Sequence, residues 1–192
     1  GIEPLVHLIA IGSARAQEKA AGALGSLGFE NEANEGVIST QLIRLLASAD
    51  KAVCAKAARA IAVLAKQTPS YQAALAKAGG IAVLITLLSL DDKSVHAKAR
   101  ASVDRMGGGG RVSDATDAEV LREAAGATWA LSENNAANQS QIASEGGIPP
   151  LIGLLSASAL PGEVHRDAAG ALWSLAAAPA NQVAIAAAHG IP

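Results

Sequence analysis

Aromatic residues are almost missing from this sequence: two Trp, one Tyr and one Phe among 192 residues. A chain so built offers no stacking platform for the bases of single-stranded nucleic acid. Its net charge of −2 lacks the basic surplus that a polyanion attracts, so no nucleic-acid partner is expected. Cys54 is the one cysteine, which excludes an internal disulfide and fits a reducing compartment. It lies within an apolar helical pattern and reads as a buried, inert thiol. The longest apolar run, IAVLITLLSL at 81–90, is too short to span a bilayer, so no membrane insertion is expected. A signal-peptide pattern is also missing.

Residues that carry chemistry are equally sparse. His7, His96, His165 and His189 lie far apart, with no pair at helical ligand spacing, so no metal site is expected. No Ser/His/Asp or Cys/His set has supporting local sequence. Glu119 and Glu123 share one helix face, but such a pair reads as solvated surface rather than acid–base machinery. GGGGRVS at 107–113 lacks the Gly-Lys-Ser/Thr ending of a phosphate loop and follows a helical pattern rather than a strand; it reads as a flexible linker. The expectation is a non-enzyme without cofactors.

What the chain does have is repetition. AAGALGSL at 20–27 returns as AAGATWAL at 124–131 and AAGALWSL at 168–175, with weaker copies AARAIAVL at 57–64 and KARASVDR at 98–105. GI opens an apolar run at residues 1, 80, 147 and 190, and the step from Gly147 to Gly190 is 43 residues. An Asn or Tyr precedes an aliphatic by four residues in Asn34–Ile38, Tyr71–Leu75, Asn138–Ile142 and Asn181–Ile185. The three signatures keep one order, so the recurring element is a structural unit.

Each unit parses into three helices. A short one (138–146) stops at Gly146–Gly147, where a left-handed cap is available. A second starts at IPPLIGLLS (148–156), whose prolines suit a first turn. A long third helix is predicted over 162–178, with Val164, Ala168, Ala171, Leu172 and Leu175 on one stripe. One such unit cannot bury its stripe alone; stacking on neighbours does so.

The run GGIPPLIGLLSASALPGEVHRDAAGALWSLAAAPANQVAIAAAHGIP resembles armadillo repeats, and the likeness extends over the whole chain, strongest at 116–192. The expected fold is therefore an all-α solenoid. The resemblance implies a right-handed superhelix whose third helices line a concave groove. The approximate units are 1–29, 30–68, 69–135, 136–179 and 180–192, a piece of a longer array that begins at one GI turn and stops at the next GIP.

The register is irregular in two places. NEGVISTQLIRLL (34–46) runs from first helix into second with no glycine pair. Octapeptide copies starting at 98 and 124 stand only 26 residues apart. Either 91–106 is a third helix followed by a truncated repeat, or 91–114 is an insertion between second and third helices. Both readings place a helix at about 92–106, and Thr116 with Glu119 reads as a capping box for the next one.

For importin-α-like arrays the resemblance implies a Trp/Asn ladder on successive third helices. The Trp position falls here on Gly22, Arg59, Gly126 and Gly170, and the Asn position on Ser26, Val63, Ala130 and Ser174. None matches, which disfavours an importin-like cargo receptor. Trp129 and Trp173 sit one residue before the Asn position and read as packing between third helices, as anchors for a ligand side chain, or both.

Helical spacing places Arg15, Lys19, Ser26, Lys56, Arg59, Lys66 and Arg100 on the groove side early in the array. Glu119, Glu123, Trp129, Glu133, Glu163, Asp167, Trp173 and Ser174 follow later. Residues 1–106 hold 12 Lys/Arg against 9 Asp/Glu, and residues 107–192 hold 3 against 8. The expected function is a non-catalytic, intracellular scaffold, cytoplasmic before nuclear or ciliary. It would bind a partner chain or extended peptide along a groove running from basic to acidic. The alternative is a structural subunit of a large assembly that uses convex or end surfaces.

Overall fold

The computed structural model describes residues 1–89, 114–158 and 160–188. The expected helix at 92–106, with Arg100 and His96, lies outside them, as do the glycine run at 107–110 and His189. The described residues form eleven helices and no strand. In chain order these are α1 (Ile2–Ile11), α2 (Ala14–Gly28), α3 (Glu32–Leu46), α4 (Lys51–Gln67), α5 (Pro69–Lys77) and α6 (Gly80–Leu88). After them come α7 (Asp114–Ser132), α8 (Ala136–Ser144), α9 (Ile148–Ser156), α10 (Gly162–Leu175) and α11 (Pro179–Ala187).

Local chemistry sets most of the boundaries. Asn31 and Asn135 cap α3 and α8 by accepting from the backbone N–H of Asn34 and Asn138, each at 3.0 Å. Asp50 caps α4 the same way, at 2.9 Å from the N–H of Ala52. Pro69 and Pro179 open α5 and α11, where a missing N–H costs no helical bond. Pro179 also explains why α10 ends at Leu175, short of the expected 178, since the residue before proline avoids helical backbone.

First and second helices are separated by glycines with positive φ, Gly79 at 86° between α5 and α6 and Gly146 at 83° before α9. The α5–α6 pair is thereby bent by 79°. α3 has no such pair and runs uninterrupted from Glu32 to Leu46. α7 begins at Asp114, so Thr116 lies inside the first turn and the expected capping box does not start the helix. Glu119 instead reaches across to Arg59.

The third helices α2, α4, α7 and α10 pack side by side as one layer, and the shorter helices form the other. Small residues permit the close approach: Ala57, Ala58, Ala124, Ala125, Ala127, Ala168 and Ala171 are fully buried. Leu64, Leu131 and Leu175 occupy one repeat position and are also fully buried, each contributing about 1.5–3 kcal/mol.

The recurring Asn is a fastener. Asn34, Asn138 and Asn181 each donate from Nδ2 to a carbonyl at the end of the preceding third helix, on Leu27, Leu131 and Leu175, at 2.8, 2.8 and 3.0 Å. Such terminal carbonyls lack a donor within their own helix, and the one on Leu175 also accepts from the Ala178 N–H at 3.2 Å. Asn138 and Asn181 also donate to the first helix one unit back, at the carbonyls of Gln72 and Gln139. Tyr71 replaces Asn in its unit and reaches α2, its hydroxyl donating to the Leu24 carbonyl at 2.8 Å. Burial first, and the nearby Glu35 charge second, push the Tyr71 phenol up to about 12.

Candidate functional site

Two seams in the third-helix layer gather the side chains that the sequence singles out. At the α4/α7 seam, Arg59 donates from Nε and Nη2 to Glu123 Oε1, at 3.0 and 2.7 Å, and from Nη2 to Glu119 at 3.3 Å. Arg122 donates to the same Glu123 oxygen at 2.5 Å. The hydrogen bond to Glu123 holds the Arg59 guanidinium above its ordinary pKa. Lys51 pairs with Asp117 across the same seam. Both helices carry the charges at fixed repeat positions, so the pairs follow from the stacking register.

At the α7/α10 seam the helices approach closely. A Cβ built on Gly170 would lie 2.7 Å from the indole of Trp129, so the ring sits against bare backbone. From the preceding helix, Lys66 Nζ lies 5.5 Å from the Trp129 ring centroid, within cation–π range. Asp167 is 9% exposed, accepts from Arg166 Nε at 2.9 Å, and lies beside Gly126. Trp173 holds the same place one unit later and is 75% exposed. In the first unit the place belongs to Gly25, which the side-chain amide of Gln67 covers.

The structure thus brings Arg59, Lys66, Glu119, Glu123 and Trp129 together, but ties most of them to one another. Lys56 turns to the end of α1, donating to the Ala10 carbonyl at 3.0 Å. The Ser26 hydroxyl donates to the Gly22 carbonyl of its own helix. Arg15, Lys19, Glu133 and Glu163 are exposed, and Ser174 is half-buried. Between exposed Arg15 and Lys19 on α2 and exposed Glu163 on α10, Arg59 and Glu123 are paired, while Lys66 and Glu133 stay exposed.

Sequence reasoning missed Lys51, Asp117, Arg122 and Gln72. Gln72 Nε2 donates to the carbonyls of Ala130 and Glu133 and so locks α5 to the end of α7. Aligning the units by octapeptide register and looking for opposite charges at facing positions was the available signal for the ion pairs.

Cys54 is buried and its thiol lies 3.0 Å from the Ser48 carbonyl. Burial, reinforced by the charge of Asp50, pushes it up to about 11, away from reactive thiolate. Among the described residues no group of His, Cys, Asp and Glu could hold a metal ion. Among them, too, no single helix is long and apolar enough to cross a membrane.

Residues 135–177, spanning α8, α9 and α10, match the family model of the armadillo/beta-catenin-like repeat. Among curated proteins none matches the chain. Solved structures that it resembles include an engineered protein at 27% identity, covering 98% of this chain and 85% of that one, with a TM-score of 0.41. A designed armadillo repeat protein in complex with the peptide (KR)4 is 22% identical over 91% of this chain and 81% of that one, with a TM-score of 0.35. A further designed armadillo repeat protein for modular peptide recognition is 19% identical, covering 100% and 90%, with a TM-score of 0.36. The matched unit is a whole three-helix repeat, and its fastening Asn, third-helix octapeptide and alanine seams recur before it, so the chain carries an armadillo-type repeat within an array of like units.

Proposed function

We propose that this chain is a non-catalytic, intracellular scaffold that holds an extended peptide or partner protein along the open face of its third-helix layer. One observation carries the reading. Exposed cations, Arg15 and Lys19, stand toward one end of that layer and the exposed acid Glu163 toward the other, while Arg59 and Glu123 between them are paired. Charges left in solvent at both ends favour one direction of an extended ligand and cost little to desolvate. The exposed indole of Trp173 adds an amphipathic anchor at the acidic end.

The same reading takes 69–135 as one repeat. Direct packing of α4 on α7 supports it, since a complete unit between 69 and 114 would place another third helix between them.

The test is fluorescence anisotropy with two labelled peptides of equal composition, one running from a glutamate block to a lysine block and one reversed. One order should bind about tenfold tighter, and Lys19→Glu with Glu163→Lys should invert the preference. Equal affinity for both orders, unaltered by the charge reversals, would reject the groove. Partner crosslinks confined to Lys77 on α5, with none at Lys19, would move binding to the outer layer.

A further inference from the structure

Away from the third-helix layer, a cleft of about 780 Å³ opens between α3 and α5. That volume is in the range of small-ligand sites. Uninterrupted α3, which lacks the glycine pair, forms one wall, and at Gly36 on that wall a Cβ would meet nothing within 4 Å.

The lining combines charge with apolar surface. Glu35 is 5% exposed, yet among the described residues no cation pairs with its carboxylate. One of its oxygens accepts from the Ser70 hydroxyl at 2.6 Å, and Ser70 is 3.0 Å from the Thr68 hydroxyl. The second oxygen has no hydrogen-bond donor among the described residues. Glu30 and Glu32 also line the cleft, against one cation, Lys77. Phe29, the single phenylalanine of the chain, lines it too and is 60% exposed.

A buried carboxylate without a paired cation, in a cleft that also offers apolar surface and an exposed aromatic ring, suits a cation on an alkyl stem. We infer that the α3/α5 cleft binds the arginine or lysine side chain of a partner chain, with Glu35 as the anionic floor and Phe29 at the mouth. The site lies in the first-helix layer and does not depend on the groove reading above.

The experiment titrates the ¹⁵N-labelled chain with acetyl-Ala-Arg-Ala-amide, its lysine counterpart, its neutral citrulline counterpart and agmatine. Saturable shifts are expected at backbone amides of residues 29–36 and 68–78. Affinity for the arginine or lysine peptide should exceed that for the citrulline peptide about tenfold, the difference a charge-assisted pair makes. Glu35→Gln should remove that difference. Gly36→Leu fills the cleft and favours the helix, so it should fold at least as well and abolish the shifts. Should Glu35→Gln fail to fold, Gly36→Leu decides. Equal binding of the citrulline peptide, shifts that survive Gly36→Leu, or shifts confined to the third helices would each overturn the proposal. Binding of agmatine without either peptide would overturn the partner-chain assignment.

Discussion

The α4/α7 and α7/α10 seams join helices of one kind in one register, yet different chemistry holds them. At the first, Arg59 and Lys51 reach acids on α7; at the second, an indole lies on the bare backbone of Gly170. Both rest on the same buried alanines. The difference follows from two repeat positions of the preceding helix. α4 carries Arg59, which spans to α7, and Ala62, which is too small to cover Gly126; α7 carries Gly126 and Trp129, whose ring lies on Gly170. Alanine sets the spacing, and the variable positions decide whether a seam is sensitive to salt or to volume.

The comparison breaks most sharply at Gly170. Gly170→Leu forces the side chain into the Trp129 ring and should cost about 3 kcal/mol, read from the urea midpoint. Adding Trp129→Ala should recover more than half of that loss, because the two residues occupy one space. Additive losses would show that the ring is not what Gly170 accommodates.

Trp129→Ala alone should cost about 2 kcal/mol, less than a fully buried indole because the residue is only partly buried. Glu123→Ala leaves Arg59 and Arg122 without their shared acceptor and should cost about 1 kcal/mol. Salt separates the seams. High ionic strength should narrow the gap between Glu123→Ala and the parent while leaving the Trp129→Ala gap unchanged. Equal salt responses would erase the distinction.

The smallest expected effect uses Cys54, on the α4 side of the ionic seam. Its folded thiol is raised to about 11 from an ordinary 9.0, so the folded chain holds that proton more tightly than the unfolded chain. Stability from this group is complete below pH 9 and is lost as pH rises toward 11, and Cys54→Ala should flatten that part of the profile. The thiol also reports on opening. Lys51→Ala should raise its labelling rate by a disulfide reagent several-fold, and Trp129→Ala should change it less. The reverse order would mean that the seams open as one unit.

Much of this was legible in the sequence. The helix boundaries at Gly79, Gly146 and the capping Asn residues follow from turn chemistry that acts within a few residues. The stripe of Val164, Ala168, Ala171, Leu172 and Leu175 is wholly buried, as its spacing predicts. The uninterrupted helix at 32–46 was equally readable from the missing glycine pair. Charges were harder. Helical periodicity gives the face a side chain occupies, not whether an opposite charge on the next helix claims it. Arg59 thus reads as an open groove cation but is held by Glu123, and Asp167 reads as groove surface but is buried. The α3/α5 cleft was not legible, because its walls come from two units and its volume depends on the angle between them.

By itself the sequence determined the helices, their order within a unit, and the face each must bury, because caps, glycine turns and apolar spacing are local. Only the tertiary structure decided which charges remain in solvent, where Trp129 rests, and that α3 and α5 leave a cleft lined by Glu35. Those outcomes depend on distances between residues some 35 to 65 positions apart, as in Glu35–Ser70 and Arg59–Glu123, which the stacking of whole units sets.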